Sequence, residues 1–332
     1  MADPLDSLKG APVLVTGAGG FIGSRLCERL IEKGAQVRAL VRYTSSGAAG
    51  WLDESPLRES IDVRRGDLAD LDTVRAAMDG ARIVLHLGAL IAIPWSYDAP
   101  ESYVRTNVMG TLNVLRAARE AGVARLVHVS TSEVYGTARF TPMTEEHPLQ
   151  GQSPYSASKI AADKLAESFH LSFGTPVVTL RPFNTYGPRQ SPRAVIPAIA
   201  VQALAGDTVR LGATAPTRDF VFVDDTVEAF VRAAAVPGIE GQTIHFGGGR
   251  EVSIGEVAGM IAAIVGREIR LETDPKRLRP AGSEVDRLVA DASRARAMLG
   301  WAPATRLEAG LEQTVAFIRD NLHRYRPGEY AK

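Results

Sequence analysis

Short apolar runs alternate with longer amphipathic segments through the first half of the chain. The runs are a few residues long, as buried strands are, and lie at positions 13–15, 37–41, 61–63, 83–87, 126–130 and 177–180. Between them the apolar positions follow a helical period: within 107–121, Leu112, Leu115 and Ala118 share one side. Strands that alternate with helices at this spacing predict a parallel sheet covered by helices on both faces.

The pattern changes after residue 181. Four prolines fall within positions 182–197, which predicts a long loop before a helix near 196–204. The run 220–223 is apolar throughout, and we expect it to return to the first lobe or its border. The predicted fold is α/β. It has a Rossmann-like, doubly wound parallel sheet in residues 11–181, with a return of about 219–247, and a smaller, discontinuous mixed α/β substrate lobe within 182–330.

A glycine-rich loop joins the first predicted strand to the first predicted helix. Gly17, Gly20 and Gly23 stand three residues apart. Such a loop lets the backbone approach a pyrophosphate, which then lies against the helix N-terminus. The loop predicts dinucleotide binding, and we assign its Phe21 and Ile22 to the same cofactor site.

The end of the second strand bears on which dinucleotide is bound. An acid usually stands there to bind the ribose hydroxyls of NAD, but this chain has Arg42 followed by Tyr43, Thr44 and Ser45. An arginine with neighbouring hydroxyls suits a 2′-phosphate, so NADP is favoured over NAD. Arg42 as a solvated loop charge is the alternative.

Three further residues at strand ends are assigned to the cofactor. Asp67 follows the third strand and either accepts a hydrogen bond from the adenine amino group or caps a helix. Leu68 beside it, and Leu87 at the end of the fourth strand, complete the predicted cofactor contacts.

Candidate catalytic groups cluster around the fifth strand and the helix that follows. Tyr155 and Lys159 stand four apart, so they share one helical face, and the lysine is expected to lower the tyrosine pKa from about 10. Thr131, Ser132 and Glu133 follow run 126–130, at the strand end where α/β sheets bind ligands. Glu133 is either an acid–base group or a solvated helix-start acid.

Composition excludes several functional classes. The 332 residues favour two lobes, and 38 acidic residues balance 38 basic ones, which suggests neither a nucleic-acid nor a membrane surface. No apolar run approaches the ~18 residues of a membrane span. The single cysteine, Cys27, fits a reducing compartment, so we expect a cytoplasmic protein. No spacing of His, Cys or Asp predicts a metal site.

Together these motifs resemble the extended short-chain dehydrogenase/reductase family over nearly the whole chain. The matching pieces are Gly17-x-x-Gly20-x-x-Gly23, Gly66-Asp67-Leu68, Asn107 within 106–111, Tyr155-x-x-x-Lys159, the run 181–188 and the run 218–220. Members of this family mostly act on nucleotide-linked sugars. The resemblance therefore implies a nucleotide-diphosphate sugar as substrate.

The resemblance also implies roles for individual residues. Thr131 would bind the sugar 4-hydroxyl, Tyr155 would be the base, and Lys159 would also hold the nicotinamide ribose. Three residues would meet the substrate diphosphate and nucleoside, namely Asn184, Arg218 and Arg279.

A homodimer is implied as well. In the family it forms through the helices at about 107–121 and 155–173, and we expect Leu165 and Phe169 to be exposed apolar positions there. Packing of these two residues in the core is the alternative.

Within the family, the Thr131-Ser132-Glu133 stretch resembles 4,6-dehydratases, particularly those acting on GDP-sugars, and Arg42 is similar to its counterpart in GDP-mannose dehydratases, which use NADP. The run 130–189 most resembles GDP-N-acetylglucosamine 4,6-dehydratases. Such an enzyme oxidises C4, eliminates water across C5 and C6, and regenerates a tightly bound cofactor. Ser132 stands where dTDP-glucose dehydratases have aspartate, so Glu133 would handle both protons of the elimination. The alternatives are a UDP-glucuronate-type decarboxylase, a 4-epimerase, or a non-catalytic NADP-sensing protein.

Overall fold

A parallel sheet of seven strands forms the centre of the molecule. The computed structural model describes residues 3–325, so the last five residues of the predicted second lobe, 326–330, lie outside the described part. The sheet has the order β11-β6-β5-β4-β1-β2-β3. Its strands are β1 Pro12–Thr16, β2 Gln36–Arg42, β3 Ile61–Gly66, β4 Ile83–His86, β5 Arg125–Val129, β6 Val177–Pro182 and β11 Thr243–Phe246.

Helices cover both faces of this sheet, which confirms the predicted doubly wound architecture. One face packs on α1 Phe21–Glu32 and α8 Val223–Ala235; the other packs on α2 Leu71–Met78, α5 Gly110–Ala121 and α6 Pro154–Phe173. All four residues of β4 are buried, as expected of a central parallel strand.

The return to the sheet is made by β11, which pairs with β6. Run 220–223, unlike β11, does not pair with a strand of the seven-stranded sheet. Its strand β10, Phe220–Phe222, pairs with β7, Asn184–Tyr186, in a separate two-stranded sheet, while Phe222 and Val223 bury their side chains in the main core.

The remaining elements form a smaller group beside the carboxyl ends of the strands. They comprise α7 Val195–Ala205, β8 Thr208–Leu211, β9 Thr217–Arg218, β12 Val252–Ser253, α9 Ile254–Val265, β13 Arg270–Thr273, α10 Ser293–Leu299 and α11 Leu307–Asp320. Short two-stranded pairings, β8 with β13 and β9 with β12, hold this group together. The domain boundaries given above stay a prediction.

The helical surface expected at a dimer interface differs in detail from the prediction. Phe169 is buried and packs edge-on against Phe173, and Leu165 is partly buried against the core, so neither is an exposed apolar residue. The exposed apolar side chains on and before these helices are instead Val104, Met109, Leu171 and Phe173.

Two absences concern the described residues alone. No helix within 3–325 combines the length and apolar content needed to cross a bilayer. In the same range, no three His, Cys, Asp or Glu side chains come together as a metal site requires.

Candidate active site

The glycine loop forms a cradle that side chains would fill. Gly17 has a φ of +69°, and a Cβ built on it would lie 2.8 Å from the Cα of Gly88. A Cβ on Gly23 would collide with the carbonyl oxygen of Gly17, so the first helix packs too closely for any other residue. Gly20 precedes α1 and provides no side-chain cap, which leaves the helix N-terminus open to an anion. The loop therefore fits a dinucleotide pyrophosphate.

The strand ends beside this cradle carry the predicted adenosine contacts. Arg42 is the last residue of β2 and is exposed. Asp67 accepts a hydrogen bond from the amide of Ala69 at 2.9 Å, while Asp70 caps α2. Asp67 is therefore a turn residue rather than the helix cap that was its alternative.

The predicted leucine contacts lie along the same edge. Leu68 is half-buried, and its carbonyl oxygen accepts a hydrogen bond from Asn113 at 2.9 Å. Leu87, also half-buried, directly follows β4 and precedes Gly88 at the glycine loop.

Tyr155 lies in the first turn of α6, where a capping box between Ser153 and Ser156 fixes the start of the helix. Its phenol is buried and hydrogen-bonded with the side chain of Thr131. Burial raises the phenol pKa, and the Thr131 contact acts in the opposite direction. The expectation of a lowered pKa is thus wrong, because burial disfavours the phenolate and the nearby carboxylates of Glu133 and Asp163 raise the pKa further.

Lys159 lies one turn further along α6 and is buried. Its Nζ donates to the carbonyl oxygen of Val129, at the end of β5, over 2.8 Å. Burial lowers the pKa of this amine to about 8, and Asp163, a further turn along the helix, counteracts that effect. The ammonium is therefore held at the strand end by one backbone oxygen and one nearby carboxylate.

Behind Lys159 is a buried polar network that sequence reasoning missed. The Asp163 carboxylate contacts His128 Nε2 at 3.0 Å and Arg181 Nη2 at 2.9 Å. Arg181 also donates to the hydroxyl of Tyr135. Asp163 follows Lys159 by four residues and so lies one helical turn away, and that spacing is the feature of the sequence that could have revealed it.

Glu133 lies in the 3-10 turn Ser132–Tyr135, which the Thr131 hydroxyl caps by accepting from the Glu133 amide at 3.2 Å. The Glu133 side chain is 12% exposed, so it is not the solvated acid of the alternative interpretation. Its Oε2 lies 3.9 Å from Arg279 Nη1. Ser132 is buried beside it. The same residue that caps the turn therefore also contacts the phenol of Tyr155.

Two of the other predicted substrate residues, Arg218 and Arg279, lie near this carboxylate. Arg218 is buried on β9; burial lowers the pKa of its guanidinium, and Glu133 acts in the opposite direction. Asn184 Oδ1 and Arg279 Nη1 are buried atoms with no hydrogen-bond partner among the described residues. Buried polar atoms without partners are costly, and here they lie where a polar ligand would satisfy them.

Glu284 is the residue of this cluster that sequence reasoning missed. Its Oε1 lies 3.7 Å from Arg218 Nη2 and 3.8 Å from Arg279 Nη1. In the sequence it is one acid among several charges after Arg279, so no local pattern marks it.

Comparisons with known proteins agree with this geometry. The family model described as GDP-mannose 4,6 dehydratase matches residues 14–314. A UDP-glucose 4-epimerase of Mycolicibacterium smegmatis is 38% identical over 92% of this chain and 98% of its own. A dTDP-glucose 4,6-dehydratase of Streptomyces antibioticus is 35% identical over 93% of this chain and 92% of its own.

A solved structure agrees as well. DesIV, a dTDP-glucose 4,6-dehydratase of Streptomyces venezuelae solved with NAD bound, superposes with a TM-score of 0.86 at 31% identity, covering 95% of this chain and 99% of that one. The glycine cradle, the Tyr155–Lys159 pair and these matches lead to one conclusion. The chain belongs to the extended short-chain dehydrogenase/reductase family, among its nucleotide-sugar 4,6-dehydratases and epimerases.

Proposed function

We propose that this protein is a nucleotide-sugar 4,6-dehydratase that makes a 4-keto-6-deoxy sugar. The observation that carries the proposal is the position of Glu133. Its carboxylate is largely buried, its turn is capped by the threonine that contacts Tyr155, and two arginines lie near it. Oxidation at C4 alone needs no such carboxylate, whereas loss of water across C5 and C6 does.

The first step falls to Thr131, Tyr155 and Lys159. Thr131 orients the sugar 4-hydroxyl, and Tyr155 takes its proton. A nicotinamide held in the glycine cradle would supply the hydride acceptor for C4 and the hydride donor for C6, and its positive charge when oxidised would favour the phenolate form of Tyr155. Lys159, fixed on the Val129 carbonyl, adds a positive charge at the base of the site and binds the ribose.

The second step belongs to Glu133. The new 4-ketone acidifies the hydrogen at C5, and Glu133 removes it. Glu133 then gives that proton to the departing C6 hydroxyl, which leaves as water. Ser132 lies adjacent to Glu133 in the same turn. C5 finally takes a proton from solvent, and Tyr155 releases to solvent the proton that it took from the 4-hydroxyl, so the net change is the loss of one water. Acid–base help of this kind is worth roughly 10²–10⁴ in rate.

The proposed substrate is a GDP-linked hexose of the N-acetylglucosamine type. Ser132 in place of an aspartate and the match to a GDP-mannose dehydratase model support GDP, while the relatives named for UDP and dTDP sugars count against a narrow choice. Incubation with GDP-, UDP-, dTDP- and CDP-sugars in deuterated water, followed by mass spectrometry, tests this. We expect a product lighter by one water that carries deuterium at C5.

The proposed cofactor is NADP, held tightly through turnover. Arg42 at the exposed end of β2 supports it, since no carboxylate takes that place. Solved structures of similar proteins contain NAD, which argues for NAD instead of NADP. Chromatography of the nucleotide released on denaturation decides between them. Under this proposal Arg42→Asp weakens NADP binding by about tenfold or more, through loss of a phosphate contact.

A 4-epimerase is the second candidate, favoured by the epimerase relative that is 38% identical. It would give a product of unchanged mass, and a uronate decarboxylase would lose carbon dioxide instead of water. Retention of both Tyr155 and Lys159 in a buried site disfavours a protein that only senses NADP. The mass of the product separates the three activities, and turnover of any sugar excludes the sensor.

We also propose a homodimer formed through α5 and α6. The exposed side chains of Val104, Met109, Leu171 and Phe173 support it, because large apolar groups in water favour association. Leu171→Glu is expected to shift the protein toward monomer in analytical ultracentrifugation. An unchanged sedimentation coefficient with wild-type activity would contradict this interface.

A further inference from the structure

Four charged side chains of alternating sign meet beside the turn that carries Glu133. Arg279 Nη1 lies 3.9 Å from Glu133 Oε2 and 3.8 Å from Glu284 Oε1. Glu284 Oε1 is in turn 3.7 Å from Arg218 Nη2. All three separations exceed hydrogen-bond length, so Arg279 is balanced between two carboxylates and bonded to neither.

Glu284 is held in place by the backbone around the same turn. Its carbonyl oxygen accepts from Gln152 Nε2 at 3.2 Å and from the Thr137 hydroxyl at 3.3 Å. The Thr137 hydroxyl also accepts from the amide of Asp286 at 3.1 Å. Since Thr137 follows the Glu133 turn by two residues, the turn and the Glu284 segment are joined as one unit.

The Glu284 carboxylate itself is fixed as well. Its Oε1 accepts from the amide of Val285 at 3.2 Å. Val285 is buried in a small apolar cluster with Val134 and Tyr135, which belong to the Glu133 turn. Contacts within the protein therefore hold the carboxylate beside the arginines.

The balance matters because Glu133 must act as a base. A carboxylate paired directly with arginine loses basicity, commonly by 1–3 pKa units, and a weaker base removes a carbon-bound proton more slowly. Glu284 draws Arg279 the other way. It also lies against Arg218, so two guanidiniums share one carboxylate.

We propose that Glu284 is a positioning residue that holds Arg279 away from Glu133, so that Glu133 remains free to remove the C5 proton. The assignment rests on the dehydratase function proposed above. Without Glu284, Glu133 is the one carboxylate of this cluster that Arg279 reaches beside the substrate diphosphate, so Arg279 shifts toward Glu133. The elimination step then slows, whereas oxidation at C4, which depends on Tyr155 and Lys159, continues.

The test is Glu284→Gln in the intact enzyme with saturating substrate. We expect product formation to fall about tenfold, with reduced nicotinamide accumulating at 340 nm and deuterium exchange at C5 slowing in parallel. The acid limb of the pH–rate profile should move to lower pH, because a paired Glu133 ionises more readily. Glu284→Asp, which keeps the charge, should recover part of the rate.

Glu272→Gln is the matched control, because Glu272 is also shared by two arginines, Arg210 and Arg270, each at 3.4 Å, but lies on the exposed strand β13. It should behave as wild type. In an Arg279→Ala background, Glu284→Gln should have no further effect on elimination, since the group through which it acts is gone.

Two results would overturn the inference while leaving the dehydratase intact. One is a Glu284→Gln variant with wild-type product formation. The other is a variant in which only KM rises, with no accumulation of reduced cofactor, since that would limit Glu284 to phosphate binding. If the wild-type protein dehydrates none of the four nucleotide sugars, the proposed function fails and the inference fails with it.

Discussion

The two sides of the site are built in different ways. The redox side, Tyr155, Lys159 and Thr131, is buried and rests on one helix and the end of the adjoining strand. The elimination side, Glu133 with Arg279, Glu284 and Arg218, gathers residues that lie as much as about 150 positions apart. Local helix geometry fixes the first, while only long-range packing fixes the second.

The redox side and the elimination side are also held in place by different kinds of contact. Behind the redox side, Asp163, Arg181 and Tyr135 form a buried, hydrogen-bonded network, so the catalytic helix is held rigidly on the sheet. The elimination side is held by charge contacts of 3.7–3.9 Å. Hydrogen bonds therefore fix the redox side, whereas longer charge contacts join the elimination side.

Removal of the phenol should have the largest effect. Tyr155→Phe takes away the base for the 4-hydroxyl, so product formation should fall by about 10³–10⁴ with no reduction of the nicotinamide. Absorbance at 340 nm under single turnover measures this. Tyr186→Phe is the control, because its buried hydroxyl bonds Leu307 away from the cleft. Normal cofactor reduction in Tyr155→Phe would break the division between the two sides.

Glu133→Gln should be next in size and should separate the two steps. Product formation is expected to fall by about 10²–10³, while C4 oxidation persists and reduced nicotinamide accumulates. Exchange of the C5 hydrogen with deuterated water should stop, as followed by NMR. If C5 exchange continues at the wild-type rate, Glu133 is not the base of the elimination.

The buried lysine should leave a signature in stability. The folded-state pKa of Lys159 is about 8, against 10.5 for the exposed amine, so the unfolded chain binds more protons between those values. Stability then rises with pH across that window, by up to about 1.4 kcal/mol per pH unit. Urea unfolding of the wild type should show this rise relative to Lys159→Met. Parallel stability curves for the two proteins would show that burial does not perturb this amine.

The smallest effect is expected at the link between the two sides. The Tyr97 hydroxyl lies 2.6 Å from Ser283 Oγ, next to Glu284, while the Tyr97 ring packs in the cluster around Tyr155. Tyr97→Phe loses one hydrogen bond and should slow product formation by a factor of about two to ten. Ser283→Ala should match it, and the double variant should be no slower than either. Additive losses would mean that the two side chains act separately.

Much of the redox side follows from sequence because its signals are local. The spacing of Tyr155 and Lys159 places them on one helical face, and the glycines at 17, 20 and 23 mark a loop that only small residues can form. A parallel sheet covered on both faces follows from the alternation of strands and helices, whereas the order of its strands comes from the structure. The direction in which the pKa of Tyr155 shifts does not follow from the sequence, because it depends on burial, which no spacing of residues reveals.

The chain alone therefore determined the sheet, the dinucleotide cradle and the identity of the base and its lysine, since each depends on residues a few positions apart. Only the tertiary structure brought Glu284 and Arg279 to Glu133, and Asp163 to His128 and Arg181. Those contacts join segments that are distant in the chain, and no helical or strand spacing in the sequence relates their residues. Electrostatic interactions act through space, so their strength depends on where folding places the charges and how much water it excludes.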